Sequence, residues 1–123
     1  MANVETLDVD QLLETARASS SGRATQVFRA EPYEGKGILS QVVLALANGN
    51  ALSKHGNPGE ALLMVLRGRV TLSTDSENWE LGEWEQVSIP QELHELTALE
   101  DSVVVLTMAK ISRPEHVGMP GIH

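Results

Sequence analysis

The chain has 123 residues, 41% of them hydrophobic and 21% charged, which is enough for one domain with a core and too few for two. Its 17 acidic residues outweigh its 9 basic ones, giving a net charge of −8 that excludes the basic surface needed by a nucleic-acid-binding protein. The absence of cysteine excludes disulfides, thiolate catalysis and cysteine-ligated zinc sites.

The first predicted element is a short helix over residues 7–18, in which apolar residues recur along one face. Asp8 is the predicted N-cap, and Gln11 follows three residues later as in a capping box. The first 20 residues carry several acidic side chains and no long apolar run, so we expect no signal peptide. Every apolar run in the chain is only as long as a strand, and we expect a cytoplasmic protein with no membrane partner.

Beyond residue 22 the sequence changes to short apolar segments that alternate with turn residues. Turns recur every 6 to 12 residues, which is typical of an all-β sandwich or barrel. Gly68 interrupts one long segment, where it can supply a positive φ or a bulge. The predicted strands cover residues 24–30, 38–47, 61–74 with the break at Gly68, 79–81, 86–90, 94–99 and 102–111.

These patterns divide the chain into three parts. Residues 1–22 form the helix and a linker, residues 23–111 form the barrel, and residues 112–123 form a tail whose two prolines and two glycines predict irregular structure. Two of the four histidines, His116 and His123, lie in this tail, and we expect them to be exposed to solvent.

The other two histidines, His55 and His94, are the main candidates for chemistry. Each follows a turn and is predicted to begin a strand. Two strands of a small barrel can direct both imidazoles inward, and imidazole binds Fe, Ni, Cu, Zn and Mn.

The segment around His55 resembles the first sequence motif of the cupin superfamily, the RmlC-like small β-barrels. That motif runs Gly, five residues, His, one residue, His, three or four residues, Glu, six residues, Gly. Here Gly49 and His55 have the right spacing and Gly68 closes the motif. The second histidine position holds Asn57, and the glutamate position falls on Ala61 or, at the longer spacing, Leu62.

The segment around His94 resembles the second cupin motif, which runs Gly, five residues, Pro, a short glycine turn, His, three residues, Asn. Pro90 and His94 match its core, although the turn is one residue shorter. Counting back from Pro90 places Trp84 at the glycine position, and Ala98 stands where the asparagine belongs. The resemblance, which includes these two segments and the strands around them, covers residues 38–110.

The resemblance implies a single small cupin-type β-barrel, jelly-roll-like, with a short N-terminal helix, and a homodimer. It also implies a metal site of three His and one Glu, of which this chain keeps only His55 and His94. Glu60 is one residue away from the glutamate position, and alternation along a strand turns it outward when Ala61 faces in. A bulge at Gly59 could return Glu60 to the interior.

Three functions remain open from the sequence. The first is a small-molecule-binding barrel, with a pocket formed by His55, Asn57, Leu63, Val65 and His94. The second is a metal-dependent enzyme, an oxygenase or isomerase, that holds Fe, Ni, Mn, Cu or Zn with His55 and His94 and an atypical third ligand. The walls of the small-molecule pocket would come from inward residues such as Leu63, Val65, Val104 and Leu106, with Met64 or Met108 as a gap filler. The third function is a structural or interaction module whose barrel is filled with side chains.

The two tryptophans, Trp79 and Trp84, flank a short turn that is rich in glutamate. A stacking platform for nucleic acid would need basic neighbours, so we exclude that role. We expect both indoles to pack over the end of the barrel or between subunits.

Overall fold

The computed structural model describes residues 4–56 and 59–110, which form one helix and nine strands in two antiparallel sheets. The five-stranded sheet has the order β1-β2-β9-β4-β7, and the four-stranded sheet the order β3-β8-β5-β6. This architecture confirms the predicted small all-β barrel with a short N-terminal helix. The elements are α1 (Val9–Ala18), β1 (Arg23–Arg29), β2 (Leu39–Leu46), β3 (Ala51–His55), β4 (Gly59–Arg67), β5 (Val70–Ser73), β6 (Asn78–Leu81), β7 (Gln86–Ser88), β8 (His94–Ala98) and β9 (Ser102–Lys110).

The helix α1 begins at the predicted cap, because the Asp8 side chain accepts a hydrogen bond from the backbone N–H of Gln11 at 3.0 Å. The side-chain amide of Gln11 does not return to the cap as in a capping box, but donates to the Thr15 hydroxyl at 3.5 Å. Leu13 and Ala16 are buried against the outer face of the five-stranded sheet. No helix within the described residues is long and apolar enough to cross a membrane.

The interior of the barrel is built from alternate residues of both sheets. Leu63, Val65, Val104 and Leu106 all face inward and belong to one buried apolar cluster, as their alternation predicts. Met108 packs against the same cluster as the predicted gap filler.

The pairing of β4 with β9 decides the orientation of Glu60. Its register runs without a break from the Gly59–Lys110 pair to the Val65–Val104 pair. No bulge therefore returns Glu60 to the interior, and its side chain is exposed whereas Ala61 is 6% exposed.

One strand, β3, does not appear among the strands expected from the sequence. His55 was expected to begin a strand, but it is the last residue of β3. The expectation is wrong because β3 contains an extra residue, which breaks the alternation of polar and apolar side chains by which strands are recognised.

Candidate functional site

The two candidate histidines lie side by side on the antiparallel pair β3–β8. Leu52 pairs with Leu96 and His55 pairs with His94, so β3 has one more residue than β8 between these two pairs. In a regular strand Leu52 and His55 would point to opposite faces, because their separation is odd. The bulge corrects this difference and turns His55 to the same side as His94.

The imidazole rings of His55 and His94 are in edge-to-face contact, with centroids 4.5 Å apart and planes at 61°. His94 is only 2% exposed and lies on the same face of β8 as the core residues Leu96 and Ala98. His55 is half-buried. The sequence-predicted pair is therefore brought together at the barrel interior.

Each ring is held through its Nδ1 atom by a carbonyl two residues earlier in the chain. The Nδ1 of His55 lies 2.8 Å from the oxygen of Ser53, and the Nδ1 of His94 lies 3.0 Å from the oxygen of Glu92. A carbonyl oxygen only accepts, so Nδ1 carries the proton in both rings and donates it. In the neutral form, each Nε2 is then a hydrogen-bond acceptor with a free lone pair.

The Nε2 atom of His94 is buried and has no hydrogen-bond partner among the described residues. An unsatisfied buried polar atom destabilises a protein by about 1–3 kcal/mol, and such atoms are rare in folded proteins. A group that donates a hydrogen bond or a lone-pair acceptor such as a metal would satisfy it.

The other predicted pocket residues lie deeper or outside the described part. Leu63 and Val65 are 1% and 0% exposed, within the packed core. Val65 lies about 13 Å along β4 from Ala61, so it is far from the position of the missing glutamate. Asn57 lies outside the described residues, as do His116 and His123.

The described residues do not complete a metal-binding set. Residues 4–56 and 59–110 contain no group of three or more His, Cys, Asp or Glu side chains arranged to hold a metal ion. Catalytic zinc sites use three protein ligands, and here the barrel offers two imidazoles with the small side chain of Ala61 at the glutamate position.

Three positions that the two motifs give to glycine, at residues 49, 68 and 84, share a left-handed backbone. Gly49 and Gly68 have φ of 85° and 87°, and Trp84, which replaces the third glycine, has φ of 68°. Trp79 packs against the core as expected, whereas Trp84 is 70% exposed in the single chain and so does not pack over the barrel end; the alternative, packing between subunits, stays a prediction. The glycine spacing was the signal for this strained turn, since it gave position 84 to glycine, the residue that adopts a positive φ most readily.

No protein-family model matches the chain, and no curated protein matches its sequence. Solved structures do match it. A conserved protein of unknown function from Streptococcus pyogenes is 19% identical over 92% of this chain and 93% of its own, with a TM-score of 0.67. KdgF from Halomonas sp. is 17% identical over 77% and 85% of the two chains, with a TM-score of 0.62.

An RmlC-like cupin from Shewanella frigidimarina is 14% identical over 76% of this chain and 81% of its own, with a TM-score of 0.60. Together with the two antiparallel sheets, these matches identify the chain as a protein with the cupin fold.

Proposed function

We propose that the barrel binds a small molecule through the paired histidines. The observation that carries this proposal is the Nε2 atom of His94, a buried acceptor without a partner among the described residues. Buried acceptors of this kind are normally satisfied, and a bound molecule with an O–H or N–H group would supply the missing donor.

The fixed tautomers define the chemistry of that ligand. Because Ser53 and Glu92 hold the Nδ1 protons, the neutral pair presents acceptors on both Nε2 atoms. Such a pair favours neutral ligands with O–H or N–H groups and disfavours carboxylates, whose oxygens only accept. The apolar cluster below His94 favours a ligand whose remaining surface is apolar.

A metal-dependent enzyme is the second candidate. The observation in its favour is the anchoring of both Nδ1 atoms on backbone carbonyls, the arrangement by which proteins orient metal-binding histidines. With His55 and His94 alone the metal needs further ligands from water, a substrate or Asn57. Any reaction would therefore require metal ligands in addition to His55 and His94.

A structural or interaction module is the third candidate, because the inward residues Leu63, Val65, Val104 and Leu106 pack against one another. This packing places their side chains in the barrel interior. It leaves the unpartnered atom of His94 unexplained, and we therefore place this function after ligand binding.

The test uses matched pairs of small probes that differ in one donor, such as phenol and fluorobenzene. Nitrogen resonances of the histidine side chains report the tautomers and the partner of each Nε2. We expect phenol to shift the Nε2 resonance of His94 more than fluorobenzene does, and the two probes to affect the remaining His55 resonance equally in His94→Leu. Equal shifts from the two probes, or no shift from either, would argue against the proposal.

Metal analysis of protein purified without chelator separates the second candidate from the first. One equivalent of Fe, Ni, Mn, Cu or Zn that is lost in a His55→Ala, His94→Ala double variant would establish a metal protein. A trace metal content that is unchanged in the double variant would eliminate the metal-dependent enzyme.

We also propose that two copies associate as a homodimer, as cupin-type barrels of this size commonly do. β1 is an edge strand of the five-stranded sheet, and Val27 on it is 43% exposed. A second copy that covers this edge would remove both the exposed apolar side chain and the unpaired strand edge from water.

A further inference from the structure

Trp84 lies in the turn between β6 and β7, far from the histidine pair. Its backbone N–H donates to the Val65 carbonyl at 2.7 Å, and the Val65 N–H donates to the Glu85 carbonyl at 3.0 Å. The strand β4 separates this turn from the histidine pair. Gly59, four residues after His55 in the chain, begins β4, and Val65 lies about 20 Å farther along the strand. A function of this turn is therefore independent of ligand binding at the histidines.

The backbone at Trp84 is suited to glycine, yet the position holds the largest side chain. Left-handed φ values are unfavourable for residues with a Cβ atom, and Trp84 has φ of 68°. The turn around it is firmly fixed, since the Gly82 N–H donates to the Glu85 carboxylate at 2.7 Å and the Glu85 N–H donates to the Gly82 carbonyl at 3.1 Å. The strain at Trp84 is thus held by its neighbours.

Within the described part of the chain, the indole of Trp84 makes no buried apolar contact that would offset this strain. Trp84 is 70% exposed and belongs to neither buried apolar cluster, whereas Trp79 packs against the core. Large exposed aromatic side chains on a rigid backbone are the residues that most often anchor protein interfaces. Trp84 therefore has the properties of a contact residue.

The surface beside the indole is strongly acidic. Glu83 and Glu85 flank Trp84 in the chain, and the Glu83 carboxylate accepts from the Gly68 N–H at 3.3 Å. Arg69 forms an ion pair with Glu80, and the bond to Glu80, with weaker attraction from Glu85 and Glu100, raises the pKa of the Arg69 guanidinium. Three carboxylates thus act on one guanidinium, Glu83 adds a fourth negative charge beside the turn, and the nearby Arg67 is already paired with Asp10.

We propose that Trp84 and its surrounding glutamates form a docking site for an arginine-bearing segment of a partner protein. A guanidinium stacks on the face of an indole and is attracted by its π electrons. The surplus of negative charge at this turn complements a basic segment and would disfavour an acidic one, and the glutamates of two copies meeting at this turn would repel one another.

The test titrates the protein with a synthetic peptide that alternates arginine and glycine, and with the same peptide containing citrulline, a neutral isostere of arginine. The indole N–H resonance of Trp84 reports binding, and that of Trp79 is the internal reference. We expect the arginine peptide alone to shift Trp84, with an affinity that falls at high salt. No shift up to about 5 mM peptide, or an equal effect of the citrulline peptide, would overturn the proposal.

Variants separate the indole from general attraction between a basic peptide and an acidic protein. Trp84→Gly removes the indole and suits the left-handed backbone. Because it also removes the reporting resonance, calorimetric titration measures the affinity of all variants, and we expect Trp84→Gly to weaken arginine-peptide binding about fivefold. Glu83→Gln keeps the acceptor for the Gly68 N–H and should weaken binding about twofold. Glu31→Gln, in the loop after β1, is the matched control and should bind as the unaltered protein does.

Unchanged binding in Trp84→Gly, or an equal loss in Glu31→Gln, would contradict a specific site. The oligomeric state of Trp84→Gly is measured in parallel. A change from dimer to monomer would show that a second copy occupies this surface, and the proposed partner would then be wrong.

Discussion

His55 and His94 face each other across β3–β8 with ring centroids 4.5 Å apart, and each ring donates its Nδ1 proton to a carbonyl two residues earlier. An equivalent local hydrogen bond thus sets the tautomer of each ring, and the bulge in β3 turns the two side chains to the same face of the sheet. An acceptor pair results in which one member, the Nε2 of His94, is buried without a partner among the described residues.

The first prediction concerns the stability of the ligand-free protein. Replacing His94 by leucine removes the unpartnered Nε2 atom and adds apolar contact with the core, so we expect the free energy of unfolding to rise by about 1 kcal/mol. Chemical denaturation measures it, and the same variant should lose ligand binding. His55→Leu is the control, because His55 is half-buried and should gain less. A loss of stability in His94→Leu that exceeds about 1 kcal/mol, the loss expected from removing the Nδ1–Glu92 hydrogen bond, would show that Nε2 is satisfied in the ligand-free protein.

The second prediction restores the missing carboxylate. Ala61 faces inward at the glutamate position, so Ala61→Glu should raise affinity for Zn²⁺ or Ni²⁺ at least about tenfold when it joins the two imidazoles. Without metal we expect the buried carboxylate to destabilise the protein by about 3 kcal/mol or more. Calorimetric titration measures the affinity, and thermal denaturation with and without metal measures the stability.

The matched control for this experiment is Leu62→Glu. Leu62 is the next residue along β4, is 42% exposed and faces outward, so the same carboxylate there should leave metal affinity unchanged. An equal gain in the two variants would mean that the added charge acts from a distance. No gain in Ala61→Glu would mean that position 61 is not directed at the histidine pair.

The sequence was sufficient for the elements whose periodicity is regular. Alternation placed Leu63 and Val65 inside and Glu60 outside, and β4 does run in that register. Local chemistry was equally informative at Asp8, whose carboxylate caps α1. These features depend on neighbouring residues in the chain, and a pattern within a few residues can therefore reveal them.

Features that depend on a partner strand were not predictable in the same way. The extra residue in β3 is defined only by its pairing with β8, so β3 was missed and His55 was assigned to the wrong end of a strand. At Trp84 the motif spacing marked a glycine position, whereas the left-handed backbone and the exposure of the indole became visible only in the structure of the turn and its bonds to β4.

A third prediction compares the two motif glycines. A Cβ atom at Gly68 would overlap the Asp101 carbonyl and the Ser102 hydroxyl and lie 2.9 Å from Ser102 Cα, whereas one at Gly49 would meet nothing within 4 Å. Both residues have positive φ. We expect Gly49→Ala to destabilise the protein by about 1 kcal/mol through backbone strain alone, and Gly68→Ala by about 3 kcal/mol or more. Equal losses on denaturation would contradict the role of the close contact.

A fourth prediction concerns acid sensitivity at Asp101. The Asn48 N–H, which donates to this carboxylate at 2.8 Å, and secondly Arg17 lower the pKa of Asp101. Because the folded pKa lies below the unfolded one, the stabilisation is complete above the unfolded value near pH 4 and is lost as pH falls through the folded pKa. Asp101→Asn should therefore reduce stability by about 1 kcal/mol at pH 7 and by less at pH 2.5.

Denaturation of both proteins at the two pH values measures this difference. Glu14→Gln is the control, since Glu14 contacts the same Arg17 at 3.1 Å but its side chain is 69% exposed. We expect it to change stability by less than about 0.5 kcal/mol. If Asp101→Asn loses as much stability at pH 2.5 as at pH 7, the loss comes from the changed side-chain geometry rather than from the lost negative charge.

The last prediction concerns association through the edge of the five-stranded sheet. Val27 on β1 is 43% exposed, and a lysine there would place a charge at the proposed subunit contact. We expect Val27→Lys to convert a dimer into a monomer, as measured by light scattering during gel filtration, with the fold kept because the side chain already reaches solvent. Leu99→Lys, at an exposed apolar position after β8, is the control and should leave the dimer intact. A dimer that survives in Val27→Lys and dissociates in Leu99→Lys would place the contact at the other sheet, because β8 belongs to the four-stranded sheet whereas β1 is the edge of the five-stranded one.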